Sequence, residues 1–176
     1  MDFFEAVNRR ACYRGEFNDV PVPREILTKV LNAGIMAPSA CNQQTPSFIV
    51  IDEPEVLKEI ANIMNTPTCN TAKAMIVCIS DRRPVFDGNS FYREDCAAAV
   101  QSMLLALVTF GYYSVWLDGI LRREGIAEKI AKILHVPSNK HVQILLPIGV
   151  PSKTVTRTSR LSFEKRVSFN YWGKQQ

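Results

Sequence analysis

Ten residues, APSACNQQTP at positions 37–46, gather two hydroxyls, a thiol and three consecutive side-chain amides. They fall between a helix-like run, PREILTKVLNAGIM, and a strand-like run, SFIVID. A connector that short needs only a Gly, Pro, Asn or Asp to turn on, so the extra polar groups call for a reason. One answer is an amide-rich turn that caps the preceding helix. Arrangements that do chemistry unaided are missing: there is no GxSxG elbow, P-loop, HExxH or GxGxxG after a strand. Cys41 and His141 have no spacing that supports a nucleophile pair. His135 and His141 lack the spacing of a helical ligand pair, and Cys12, Cys41, Cys69, Cys78 and Cys96 form no CxxC. Neither a metal site nor a disulfide framework is expected, and Cys78, in an apolar run, reads as core. No catalytic side chain is assigned. An enzyme built on this chain would take its hard chemistry from a bound cofactor.

The elements that must position these groups are legible from hydrophobic periodicity. DFFEAV opens with Asp2 three residues before Glu5, a capping-box start for a first helix. Pro23 begins a second, with Ile26, Leu27, Val30 and Leu31 on one face. SFIVID is a strand, and Pro54 starts a helix carrying Val56, Leu57, Ile60 and Ile63. AMIVCIS, apolar throughout, predicts a strand covered on both faces. Residues 92–110 predict the longest helix, apolar nearly all round and therefore central to the core or pressed against a partner, with Gly111 to stop it. YYSVWLDG and HVQILLPIG read as strands, EGIAEKIAKIL as a helix and LSFEKRV as a short last helix. Two helices precede the first strand and there is no steady βαβ rhythm, so the class is α+β in a single domain, 1–176.

Composition narrows the field further. At 176 residues and 47% hydrophobic, the chain can bury one substantial core. A net charge of +4 spread over scattered basic residues suits a phosphate-bearing small ligand and gives no nucleic-acid footprint. No run approaches the roughly 18 apolar residues of a membrane span. MDFFEAVNRR carries acids where a signal peptide carries positive charge, so a cytoplasmic protein is expected.

Three segments change the picture together: RACYRGEFNDVPVP from Arg10, APSACNQQTPSFIVID, and EDCAAAVQSMLLALVTFGYYSVWLDG. In this order and spacing they resemble the nitroreductase family of flavin-dependent oxidoreductases, over nearly the whole chain. The resemblance implies a central, mostly antiparallel sheet flanked by helices, an obligate homodimer, and FMN at the subunit interface. The family's Arg-x-Ser-x-Arg/Lys, which holds the flavin phosphate, is matched by Arg10 and Arg14, with Cys12 in place of the serine. Guanidinium forks suit a dianionic phosphate, and four-residue spacing puts both on one face of a helix. On local grounds the pair could equally be solvated arginines at a helix end. The family's Pro-Ser-x-x-Asn-x-Gln-Pro-Trp is matched at Pro38, Ser39, Asn42 and Gln44, while Thr45 and Pro46 replace the last two residues. This implies that the loop meets the partner subunit's flavin, whose polar edge neutral amides and hydroxyls can pair with at either redox state.

The resemblance further implies that Leu117, Asp118 and Gly119 border the reactive edge of the ring with backbone groups, Asp118 standing where larger members often carry Glu. Arg160 in RLSFEKRV matches an arginine that reaches the phosphate, with Arg157 and Lys153 as helpers. Asp95 matches a family position and reads as structural, a first-turn acid complementing the helix dipole. Next to larger members of the family the chain is short, with NTPTCNTA a brief connection and RRPVFDGNS the only other sizeable insertion, which leaves the pocket open, or roofed by Phe86, Phe91 and Tyr92 if these do more than pack locally. The implied activity passes hydride from NADH or NADPH through flavin N5 to a flat acceptor such as a nitroaromatic or quinone, by ping-pong exchange. The replacements at Cys12, Thr45 and Pro46 motivate a second reading, a flavin-sequestering protein with little turnover; a cofactor-free dimeric interaction module is a third and weaker one.

Overall fold

The computed structural model describes residues 1–173, so the last three residues of the expected domain lie outside it. Four strands, β1 (Pro46–Ile51), β2 (Ala74–Ser80), β3 (Tyr113–Ser114) and β4 (His141–Gly149), form one sheet in the order β1-β2-β4-β3. Every neighbouring pair is antiparallel. Around it run α1 (Phe3–Arg9), α2 (Arg24–Ile35), α3 (Pro54–Met64), α4 (Pro67–Thr71), α5 (Tyr92–Thr109) and α6 (Ile126–Ile133). None of these helices is long and apolar enough to cross a membrane.

The apolar run of β2 is buried at every residue because both of its faces are covered. Met75, Val77 and Ile79 pack with Ile60 of α3 and Ile130 of α6. Ala74, Ile76 and Cys78 pack with Leu27 and Val30 of α2 and Val100, Met103 and Leu107 of α5. The register between β2 and β4 slips once: Cys78 pairs with Ile144 and Ile79 with Val142, leaving Gln143 as an extra residue. A bulge of this kind bends a strand and re-aims its side chains.

The helices start where their caps place them: Asp2 accepts from the Glu5 N–H at 2.8 Å, and Pro54 opens α3. The ends depart from expectation in four places. The first helix stops at Arg9, and Arg10 is already extended (φ −60°, ψ 119°), so Arg10 and Arg14 do not share a helix face. YYSVWLDG contributes only the two paired residues of β3 plus a bridge from Leu117 to Leu145. LSFEKRV forms a turn and no helix; its apolar Leu161 and Phe163 are exposed, leaving no buried face to hold one. The connection NTPTCNTA folds into α4, capped by the Thr66 hydroxyl, which accepts from the Cys69 N–H at 3.2 Å.

Candidate flavin-binding site

Beyond α1 the chain extends the sheet at its β3 edge. Cys12 bridges Ser114 in parallel, and the Tyr13 N–H donates to the Ser114 carbonyl at 3.0 Å. Phe17 bridges Pro151, its N–H donates to the Thr71 hydroxyl of α4 at 2.9 Å, and Asn18 N–H reaches the Val150 carbonyl at 2.8 Å. Extended backbone alternates its side chains. Ala11, Tyr13 and Phe17 therefore go into the core, while Arg10, Cys12 and Arg14 look outward along one edge. The two-residue period thus brings together what a helix was expected to bring together. The Arg10 guanidinium lies 3.8 Å from the Cys12 thiol.

The arginines differ in what neutralises them. Arg9, Arg24, Arg83 and Arg122 each pair with a carboxylate. Among the described residues, Arg10, Arg14, Arg157 and Arg160 pair with none. A guanidinium set left clear of carboxylates fits a dianionic phosphate, which is the donor chemistry an FMN phosphate needs. Arg157 is drawn in by its bonds to Asn8 of α1, 3.3 Å to the carbonyl and 3.2 Å to the side-chain oxygen. Arg160 instead donates to the carbonyls of Thr158 and Ser159 in its own loop.

The second group follows β3. Leu117 exchanges both backbone hydrogen bonds with Leu145, at 3.1 and 2.9 Å, so its peptide groups are committed to the sheet rather than offered to a ligand. Asp118 pairs with Arg122 at 2.8 Å, one helical turn on. Gly119 is exposed, with open space where a Cβ would stand, and it is the residue of the three where a ligand can approach the backbone closely.

The third group is the polar loop. Cys41, Asn42 and Gln44 all adopt left-handed backbone (φ 49°, 54° and 49°), an expensive conformation for residues with a Cβ. What holds them is Asp95, 3% exposed at the start of α5. One carboxyl oxygen accepts from the Ala40 N–H at 2.9 Å and the other from the Thr45 hydroxyl at 2.7 Å. The Ser80 hydroxyl donates to the Thr45 carbonyl at 3.2 Å, and Ser39 Oγ accepts from the Gln44 N–H at 2.9 Å. Asn42 and Gln44 are left on the exposed crest, their amides 3.4 Å apart. Pro38, Ser39 and Gln44 line a cavity of about 360 Å³ against α2 and α5. The loop's bonds run to Asp95, Ser80 and Arg83, and none runs to the 10–14 segment.

A larger cavity, about 690 Å³, lies between the starts of α5 and α6, beside the loop's anchor. Trp116, Asp118 and the bulged Gln143 line it, with Tyr92 and four arginines. Phe86 is 62% exposed and takes no part in that lining. Cys96 also borders the cavity; its thiol hydrogen-bonds Cys78, which with burial pushes the Cys78 thiol well above the ordinary range and keeps it protonated.

The sequence model of the Nitroreductase family matches residues 6–68 and 67–150 of this fold. The chain belongs to the nitroreductase family. A protein of Methanothermobacter thermautotrophicus, provisionally named NADH dehydrogenase/NAD(P)H nitroreductase, is 30% identical over 155 residues, covering 87% of this chain and 79% of its own. A like-named protein of Archaeoglobus fulgidus is 31% identical over 137 residues, covering 77% and 78%. A Clostridium difficile structure described as an FMN-dependent nitroreductase superposes with a TM-score of 0.82 at 25% identity, over 97% of this chain and 100% of that one.

Sequence reasoning underrated two residues of this nitroreductase. Asp95 does more than complement a helix dipole, and Thr45 does more than stand in for the family's proline. They are hydrogen-bond partners, 50 positions apart. The available signal was register: Asp95 stands four and eight residues before Ala99 and Met103, on the face this helix buries, where a carboxylate needs donors.

Proposed function

We propose that the protein is an FMN-dependent oxidoreductase that draws on NADH or NADPH and reduces a flat acceptor. The observation that carries this reading is the outward set of Arg10 and Arg14, free of carboxylates, on a segment pinned to Ser114. Family membership and the FMN-dependent structural relative support it. The chemistry that bound FMN supplies is two half-reactions, hydride arriving at N5 from the nicotinamide and leaving to a nitroaromatic, quinone or similar acceptor, each visiting one pocket in turn.

The protein's own part is binding, orientation and exclusion of water. Arg10 and Arg14 hold the phosphate by charge-assisted hydrogen bonds, with Arg157 and Arg160 adding positive charge from the C-terminal segment. Cys12 takes a serine's place with a weaker donor. Gly119 lets the ring edge approach the backbone beside Leu117 and Asp118. Pro38, Ser39, Asn42 and Gln44 present neutral groups to the flavin of the second subunit. No side chain is assigned a proton transfer.

A homodimer is part of the same proposal. Ile35 and Met36, next to the polar loop, are 59% and 82% exposed, and Phe163, Phe169 and Trp172 are also exposed. Apolar surface of this extent suits a partner's cover. We assign residues 1–176 to one domain and place it in the cytoplasm, where reduced nicotinamide cofactors circulate. The test is the visible spectrum of the purified protein, followed by stopped-flow mixing with NADH and NADPH. Flavin absorbance that bleaches on mixing is expected. A flavin that neither donor bleaches would leave a flavin-sequestering protein instead, and a colourless protein that FMN cannot reconstitute would contradict both.

A further inference from the structure

Of the four arginines that line the 690 Å³ cavity, Arg82, Arg93 and Arg123 pair with no carboxylate among the described residues, and only Arg122 does. Arg122 is neutralised by Asp118, and Arg83, just outside, by Asp81. Arg82 and Arg93 are held differently: both guanidiniums lie 5.4 Å from the centroid of the Tyr92 ring, and among the described residues neither pairs with a carboxylate. Cation–π contact localises such a group without consuming its hydrogen-bond donors. Glu124 and Glu128 also line the cavity, so four arginines face three carboxylates across it, and one of the three is already committed to Arg122. Trp116 contributes a flat wall, and the bulge in β4 places the Gln143 amide in the same lining. Planar guanidinium forks beside an aromatic wall are the components that recognise a flat molecule bearing a carboxylate or phosphate.

We propose that this cavity binds the anionic group of a planar substrate, with Arg82 and Arg93 as its specificity-determining residues. That the bound molecule is a substrate rests on the oxidoreductase reading above; the preference for an anion rests on the cavity alone. Two sources share this chemistry: a carboxylate on the aromatic acceptor, and the 2′-phosphate that distinguishes NADPH from NADH.

Trp116 reports on the cavity once Trp172, 91% exposed, is replaced. In the W172F protein, quenching of Trp116 fluorescence is titrated with 4-nitrobenzoate and with the neutral 4-nitrobenzamide, then with NADPH and NADH. The expected result is a preference of about tenfold or more for the charged member of at least one pair, abolished by R82Q/R93Q while affinity for the uncharged member is kept. A preference confined to the nitrobenzoate pair identifies the acceptor as the source of the anion, and one confined to the nicotinamide pair identifies the donor. The proposal is overturned if neither pair is discriminated, or if discrimination survives R82Q/R93Q. Flavin absorbance of the same samples separates the two levels: absent flavin contradicts the oxidoreductase reading, whereas lost discrimination in flavin-loaded protein contradicts this inference alone.

Discussion

The two parts of the proposed flavin site are positioned in opposite ways. Residues 10–18 are laid along a sheet edge by backbone hydrogen bonds to Ser114 and Val150, so the direction of each side chain follows from register and not from any particular neighbour. The loop at 37–45 has no such ladder. It carries three left-handed residues and depends on one buried carboxyl group for both its ends. Backbone seating tolerates a change of side chain, which is consistent with Cys12 standing where the family has serine. Side-chain seating does not, and a change at one member needs its partner to match.

The largest expected effect is therefore at Asp95. D95A leaves the Ala40 N–H and the Thr45 hydroxyl without their acceptor in a buried place, at a cost of about 3 kcal/mol or more in unfolding free energy by denaturant titration. D95N, which keeps one acceptor oxygen, should lose less. Equal stability of D95A and wild type would break the contrast between the two parts.

Next comes the seat of the 10–18 segment. A Cβ at Gly149 would stand 2.4 Å from Phe17 Cγ and 2.6 Å from its Cβ, atoms too near the backbone to swing away. G149A should cost roughly 1–3 kcal/mol and weaken FMN binding, because moving Phe17 moves the strand that carries Arg14. An unchanged melting temperature would show that the segment is seated elsewhere.

A control lies away from both parts. Arg24 forks onto both oxygens of Asp52, and this hydrogen-bonded partner holds the Asp52 carboxyl below its ordinary value. A depressed carboxyl stabilises the fold above its unfolded value, and the gain disappears as pH falls below about 4. R24A should flatten that small acid-limb dependence in a pH series of thermal melts and leave flavin affinity untouched.

Much of this fold could be read from the sequence, and the misses have physical causes. β2, α3 and α5 are set by long apolar patterns, which local chemistry cannot overrule. α4 is five residues long, too short for a periodic pattern, and only Thr66 and Pro67 mark its start. The end of α1 was missed because nothing in RRACYR forbids another turn; the pairing of Tyr13 with Ser114, a hundred positions away, decides it. LSFEKRV has a helix-like pattern but no core to lie against. Arg10 and Arg14 fall on one side although extended chain replaces the expected helix, because alternation at period two and a turn of helix both align residues four apart. The clamp at Asp95 depends on contacts between distant residues, which no local motif displays.

The most direct test of the account is equilibrium binding of FMN to apoprotein, wild type against R10A/R14A. Removal of two charge-assisted contacts should weaken binding by on the order of 3 kcal/mol, about a hundredfold, with the melting temperature of the apoprotein unchanged. FMN affinity that survives the double substitution would contradict the placement of the phosphate at this edge.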